Sequence, residues 1–166
     1  EQALLSGIDE LTVHARTKAQ AYRPPAHWRR LQDIVNPLDI PIIANGEIWT
    51  PSDLFDCKEQ SGCNAFMLAR GALCRPDLAR AVHAYCTGDP IEPMTWPEVS
   101  QLLIDFFEAN GALYQRKYAI NPLKQWLVYL QHCYPQAAAL FAQVKRIRDP
   151  DDMRHALLGA TAAMAA

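Results

Sequence analysis

Short apolar runs alternate with amphipathic helical patterns along the first half of the chain. Three such runs, at residues 10–16, 40–47 and 64–71, end in polar side chains. Each is followed by a segment whose apolar residues are three or four positions apart, as Trp28 and Leu31 are. Three repeats of strand and helix predict a parallel sheet covered by helices on both faces. The polar side chains would then lie at the carboxyl ends of the strands, where ligands bind in parallel α/β folds.

The pattern changes after Cys86, where three prolines and one glycine separate it from Glu98. Such a segment is typical of a domain boundary. Beyond it only helical periodicity is present, in four segments that start at Thr95, Pro122, Pro135 and Asp149. Gly111 is expected to stop the first of these helices. We therefore predict that residues 1–90 are α/β and that residues 91–166 form a small all-α bundle.

Composition narrows the classes of protein to consider. The 166 residues are 50% hydrophobic and carry a net charge of −2. No apolar run reaches the roughly 18 residues of a transmembrane helix, and the first residues lack the basic and apolar regions of a signal peptide. The five cysteines include no CxxC pair, which favours reduced thiols over a metal site or disulfides. A cytoplasmic protein without a metal centre is expected.

Two glycine-containing tripeptides follow the second and third apolar runs. In Asn45-Gly46-Glu47, the glycine lets backbone amides approach an anion or a ring closely, although an ordinary turn also explains it. In Ala69-Arg70-Gly71, a guanidinium between two small residues suits a phosphate ester, with a surface arginine as the alternative. Together the two loops favour a phosphate site, because TIM barrels bind phosphate after their last two strands.

His14 and Arg16 end the first run and share one face of the predicted strand, since they are two residues apart. His14 is suited to donate a hydrogen bond to a carbonyl, and Arg16 to contact a phosphate or a carbonyl oxygen. A structural histidine is the alternative. The neighbouring Thr17 and Lys18 favour a functional role for this segment.

The helical half contains cations interleaved with aromatic residues. They are Arg116, Lys117 and Lys124, among Tyr114, Tyr118 and Trp126. Cations neutralise phosphates and aromatic rings stack on bases, so this mixture is typical of RNA contact. A solvated helix face also explains the cations, and Trp126 falls on the apolar face, as a core residue would.

Five stretches, ELTVHARTKAQAY, PIIANGEIW, AFMLARGAL, MTWPEV and LKQWLVYL, occur in this order along the chain. Together they resemble the tRNA-dihydrouridine synthase family, most closely its C subfamily, over nearly the whole chain. The combination is specific, although no single stretch is. The resemblance implies the last three βα units of a TIM (β/α)8 barrel, followed by a helical tRNA-binding domain.

The resemblance also implies an enzyme that reduces uridine to 5,6-dihydrouridine in tRNA, at position 16 for the C subfamily. FMN, itself reduced by NADPH, passes a hydride to the uracil, and a cysteine acts as general acid. The Asn45-Gly46-Glu47 tripeptide is implied to line the ribityl-phosphate region, and Ala69-Arg70-Gly71 to hold the phosphate. His14 is implied to lie beside the flavin and the flipped uracil, with Arg16 near the substrate.

In the helical half, the resemblance implies that Lys124 contacts tRNA. Relatives typically carry an arginine two residues before the KQW run, where this chain has Pro122. A complete barrel uses about 250 residues, so about 140 further residues are expected upstream, with the first five strands and the catalytic cysteine. None of the five cysteines here matches that position.

Three parallel strands alone leave two unpaired sheet edges. We therefore expect the isolated chain to bind FMN weakly or not at all, to lack synthase activity and to self-associate, whereas the full-length enzyme is expected to be a monomer. Two alternatives stay open. Another FMN-dependent TIM-barrel oxidoreductase, of the dihydroorotate dehydrogenase kind, shares the phosphate loops but does not explain the helical half. A non-catalytic RNA-binding module would keep only the tail of the enzyme.

Overall fold

The structure, a computed structural model, describes residues 7–113 and 118–162, with side chains as far as residue 160. These residues divide into two compact units. The first contains the described residues through Ala72 together with Asp77–Ile91, and the second contains Leu73–Pro76 together with the described residues from Glu92 onward. The predicted RNA-contacting residues Arg116 and Lys117 lie outside the described residues.

A three-stranded parallel sheet forms the centre of the first unit. Its strands pair in the order of the sequence: β1 (Leu11–His14), β2 (Ile42–Asn45) and β3 (Ala65–Met67). The register sets His14 beside Asn45 and Asn45 beside Met67. Because the strands are parallel, their carboxyl ends lie along one edge, and the polar residues that follow them are brought together there.

Five helical segments follow the strands along the chain: a 3₁₀ turn (Trp28–Leu31), α1 (Gln32–Val35), α2 (Pro51–Ser61), α3 (Arg70–Cys74) and α4 (Leu78–Thr87). The predicted capping box of α2 is present, since Thr50 and Asp53 each accept a hydrogen bond from the backbone N–H of the other. Two expectations need correction. The segment predicted as one helix after β1 is a 3₁₀ turn followed by one α-turn, and Arg70, predicted to lie in a loop, begins the short helix α3.

The core of the first unit lies between the sheet and the helices that follow β1 and β2. Ile42 and Ala44 of β2 are buried, as are Leu54 and Cys57 of α2. The side chains of β2 therefore hold the central strand in place. This fixes the positions of Asn45 and the residues after it.

The second unit is all helical within the residues described. Its helices are α5 (Trp96–Leu113), α6 (Ile120–Leu130), α7 (Pro135–Val144) and α8 (Pro150–Ala162). Their apolar faces share one core whose fully buried members include Val99, Leu103, Leu123, Leu127, Val144 and Met153. None of the helices in the described part of the chain is long and apolar enough to cross a membrane.

Two helix boundaries differ from the prediction. Helix α5 continues through Gly111 to Leu113, because a glycine ends a helix only where the backbone turns left-handed, and Gly111 does not. Helix α6 begins at Ile120 rather than at Pro122. A proline fits in the first turn because the N–H groups there have no partner within the helix.

Candidate functional site

The ends of the three strands form a hydrogen-bonded row. His14 donates from Nδ1 to the backbone carbonyl of Asn45 (3.2 Å), and Asn45 Nδ2 donates to Met67 Sδ (3.1 Å). A carbonyl oxygen can only accept, so Nδ1 of His14 carries a proton and Nε2 is left as an acceptor in the neutral ring. His14 is an exposed residue, and its hydrogen bond within the described residues uses Nδ1 and not Nε2.

Gly46 lies where the backbone passes close to this row. Its φ is +129°, and a Cβ at this position would lie 3.2 Å from the His14 ring and 3.6 Å from Ala26. Trp28 donates from Nε1 to the Gly46 carbonyl (2.7 Å), which fixes the orientation of the peptide. A side chain at position 46 would therefore strain the backbone and crowd the His14 ring.

Glu47 is the centre of the charged part of the site. Its carboxylate forms ion pairs with Arg16 and with Arg70 Nη2 (3.2 Å), and it accepts a hydrogen bond from Trp49 Nε1 (3.2 Å). Burial by itself raises the pKa of Glu47, but Arg16, Trp49 and Arg70 together hold that pKa below its ordinary value of 4.5. Glu47 is therefore a carboxylate at neutral pH.

Arg16 lies beneath this carboxylate. Its side chain has no solvent-exposed surface, and its Nη2 faces Glu47. Within the described residues, its Nε and Nη1 are buried without a hydrogen-bond partner. The guanidinium thus depends on Glu47 for its counter-charge. The substrate contact implied for Arg16 stays a prediction, made for a side chain that solvent does not reach here.

Arg70 is the accessible cation of the site, with 30% of its side chain exposed. Its guanidinium carbon lies 4.7 Å from the centre of the Tyr22 ring and 5.2 Å from that of Trp49, both within range of a cation–π interaction. Tyr22 and Trp49 were not singled out from the sequence. The available signal was the position of Trp49, two residues after Glu47.

The backbone around the two tripeptides is unusual. Glu47 and Ala69 have φ of +58° and +45°, in the left-handed region that residues other than glycine rarely adopt. At Gly71 a Cβ would collide with the carbonyl oxygen of Ile48. The two loops are therefore packed directly against each other, which explains how Arg70 reaches Glu47.

In the second unit, Lys124 contacts the end of a neighbouring helix. Its Nζ donates to the backbone carbonyls of Lys145 (3.1 Å) and Ile147 (2.5 Å), just beyond the end of α7. The ammonium thus stabilises carbonyls without partners in the helix. Its tRNA contact stays a prediction. Trp126 is partly buried and donates to the Leu73 carbonyl (3.0 Å).

The cysteines show neither a metal site nor a disulfide. None of the five, all of which lie within the described residues, forms a disulfide: Cys57, Cys63 and Cys74 are buried, and Cys86 and Cys133 are exposed. Burial raises the pKa of the Cys57 thiol to about 11, which leaves it protonated and unreactive at neutral pH. In the described portion of the chain, His, Cys, Asp and Glu form no group of three that could hold a metal ion.

The chain matches a known protein family over almost its whole length. The model of the family described as "Dihydrouridine synthase (Dus)" matches residues 1–165. The chain belongs to the dihydrouridine synthase family. The family resemblance drawn from the sequence is thereby confirmed at the level of the family.

Several curated relatives are named tRNA-dihydrouridine(16) synthase. The relative from Aquipseudomonas alcaligenes is 43% identical over 143 residues, which cover 86% of this chain and 45% of the relative. The relative from Neisseria meningitidis serogroup A is 43% identical over 157 residues, 91% of this chain and 46% of the relative. The relative from Cupriavidus necator is 37% identical over 153 residues, which cover 92% of this chain and 47% of the relative. The chain spans a little under half the length of these relatives.

Proposed function

We propose that the natural protein reduces uridine to 5,6-dihydrouridine in tRNA, as a flavin-dependent synthase that acts on position 16. The observation that carries the proposal is the contact between Glu47 and the partly exposed Arg70 at the ends of adjacent parallel strands. It sets a cation where parallel α/β folds bind phosphate esters. The name shared by the relatives supports the reaction and the position on the tRNA.

The residues present fit FMN. Within the described residues, the Arg70 guanidinium makes one hydrogen bond, to Glu47, so most of its donors are available to a phosphate. Gly46 and Gly71 let the two loops pass close to the His14 ring and to the Ile48 carbonyl, where a Cβ would be crowded or collide. In this proposal Ala69, Arg70 and Gly71 hold the phosphate, while the Asn45-Gly46-Glu47 loop lines the ribityl-phosphate region.

His14 lies beside the flavin ring in this proposal. When bound, FMN that NADPH has reduced supplies the hydride for the uracil. His14 Nε2, at the exposed end of β1, is placed to hold a polar edge of the ring or of the base, because Nδ1 is already used on Asn45. Flipping the uridine out of the tRNA gives a uracil face to the flavin.

In this proposal the helical unit contacts tRNA through Lys124, Arg116 and Lys117. Arg16, which follows the end of β1, is proposed to lie near the substrate. In this proposal the general-acid cysteine belongs to another part of the natural protein, since three thiols here are buried and the two exposed ones, Cys86 in α4 and Cys133 after α6, do not follow a strand. The three βα units form part of a TIM barrel. The natural protein is a cytoplasmic monomer.

Reduction of unmodified tRNA tests the proposal directly. The natural protein is incubated with NADPH and a tRNA transcript that carries uridine 16, and dihydrouridine is mapped by mass spectrometry of nuclease fragments. We expect dihydrouridine at position 16 and its absence from a transcript with cytidine there. Oxidation of dihydroorotate without tRNA reduction would favour the other class of FMN enzyme. Binding of tRNA by a protein without flavin would favour the non-catalytic module.

A further inference from the structure

Glu47 does not have the contacts expected of a group that binds an anionic cofactor. We infer that Glu47 is a positioning residue: its carboxylate orients the Arg70 guanidinium towards the cofactor phosphate and does not bind the cofactor itself. This inference rests on the proposed function. It changes the role of one residue in the loop that lines the site.

The contacts of the carboxylate carry this inference. Oxygen Oε1 contacts both Arg16 and Arg70 Nη2, and Oε2 accepts from Trp49 Nε1. Both oxygens therefore already have donors, and a carboxylate accepts but cannot donate to a phosphate. The Glu47 carboxylate is therefore directed at Arg70, the cation of the proposed phosphate site.

Arg70 is restrained on more than one side. Glu47 contacts Nη2, while Trp49 and Tyr22 lie against the guanidinium at 5.2 and 4.7 Å. Trp49 contributes twice, because its ring contacts Arg70 and its N–H holds Glu47. A guanidinium held in advance loses less conformational freedom when it binds a phosphate.

The negative charge of Glu47, taken alone, predicts the opposite effect on phosphate binding. Glu47 is negative at neutral pH, so its removal would strengthen binding of a phosphate if orientation did not matter. If Glu47 orients Arg70, its removal weakens that binding. The sign of the change thus distinguishes the two roles.

The experiment compares FMN with riboflavin, which lacks the phosphate. Dissociation constants for both are measured by flavin fluorescence with the natural full-length apoprotein, and the preference is the ratio of the riboflavin constant to the FMN constant. For Glu47→Gln we expect this preference to fall about tenfold, with riboflavin binding unchanged. An unchanged or increased preference would overturn the inference.

A double-mutant cycle separates positioning from a local structural defect. Arg70→Ala should also reduce the preference for FMN, and Glu47→Gln should have no further effect in that background. Equal losses in both backgrounds would show that Glu47 acts independently of Arg70, against the inference. Glu59→Gln makes the same chemical change at an exposed position of α2 and should leave the preference unchanged.

A milder variant serves if Glu47→Gln unfolds. Trp49→Phe removes the Nε1 donor to Glu47 but keeps an aromatic ring and the Arg16–Glu47 pair. We expect a loss of preference of about threefold with riboflavin binding unchanged, and no loss would count against the inference. Wild-type apoprotein that binds neither flavin would refute the proposed function, and this inference with it, before any variant is compared.

Discussion

Arg16 and Glu47 form an ion pair in which the arginine side chain is wholly buried and the carboxylate is 19% exposed. Removing one partner of such a pair leaves an uncompensated buried charge, which is more costly than the pair is stabilising. Arg154 and Glu108 form the contrasting pair, at 2.6 Å but with both side chains more than 40% exposed.

Glu47→Gln is expected to lower the free energy of unfolding by about 3–5 kcal/mol, because Arg16 loses its counter-charge. Glu108→Gln breaks the exposed pair and should change it by less than about 1 kcal/mol. Urea denaturation of the natural protein, followed by circular dichroism, measures both. Equal effects of the two substitutions would contradict the burial argument.

The contribution of Glu47 should also depend on pH. Its folded-state pKa is lowered, so the stabilisation is complete above the ordinary value of 4.5 and is lost as pH falls through the folded-state pKa. The difference in unfolding free energy between wild type and Glu47→Gln should be constant from about pH 5 to pH 7 and decrease below that range. A difference that grows on acidification would show that the pKa is raised.

Gly71→Ala is expected to destabilise the protein by about 1–3 kcal/mol or more, because the new Cβ meets the Ile48 carbonyl oxygen and Leu78. Gly159→Ala is the matched control in helix α8, where a Cβ meets nothing within 4 Å. It should stabilise by about 0.5–1 kcal/mol through higher helix propensity. Thermal unfolding of both variants checks the two signs, and a neutral Gly71→Ala would mean that the two loops separate easily.

Leu127→Ala should cost about 2–5 kcal/mol, since this side chain of α6 is fully buried in the core of the second unit. The neighbouring Val128 is 45% exposed, and Val128→Ala should stay within about 0.5 kcal/mol. Chemical denaturation distinguishes them. Similar losses at both positions would contradict the orientation of α6, in which Leu127 faces the core and Val128 faces solvent.

Lys124→Met removes the ammonium but keeps an apolar stem. We expect a loss of about 0.5–1.5 kcal/mol in unfolding free energy, because the carbonyls of Lys145 and Ile147 lose their donor. Lys145→Met removes an exposed ammonium nearby and should be neutral in stability. A tRNA-binding titration at two salt concentrations then shows whether either lysine also meets phosphate. Equal stability of the two variants would argue against the capping contact.

The 166-residue chain by itself is expected to bind FMN weakly or not at all and to self-associate. Within the part of the chain that the structure describes, β1 and β3 each pair on one side only. Flavin absorbance of the purified chain and sedimentation velocity over a range of concentrations measure the two properties. A yellow, monomeric chain with one flavin per molecule would contradict the expectation.

The repeating pattern of the sequence identified all three strands and the helical half, because burial on two faces leaves a short apolar run and burial on one face leaves a helical stripe. It also predicted that Asn45 and Arg70 lie at one edge of the sheet, since parallel strands have their carboxyl ends on the same side. The short helix α3 was missed. Its five residues are too few to show helical periodicity, and Gly71 within it suggested a turn.

The contacts within the site could not be read from the sequence. Arg16 and Glu47 are 31 positions apart, and Glu47 and Arg70 are 23 apart. Whether an arginine near a strand end is exposed or buried depends on side-chain packing from other segments, which spacing does not encode. The substrate contact implied for Arg16 stays a prediction, but the complete burial of its side chain could not be read from the sequence.

The left-handed backbones of Glu47 and Ala69 have a consequence for engineering heat resistance. Exchanging such residues for glycine relieves a backbone strain of about 1–2 kcal/mol, and at Ala69 the exchange removes only a methyl group. At Glu47 the same exchange would strip two arginines of their shared anion. Replacement by glycine should therefore stabilise the protein at Ala69 and destabilise it at Glu47, although the two residues have similar φ angles.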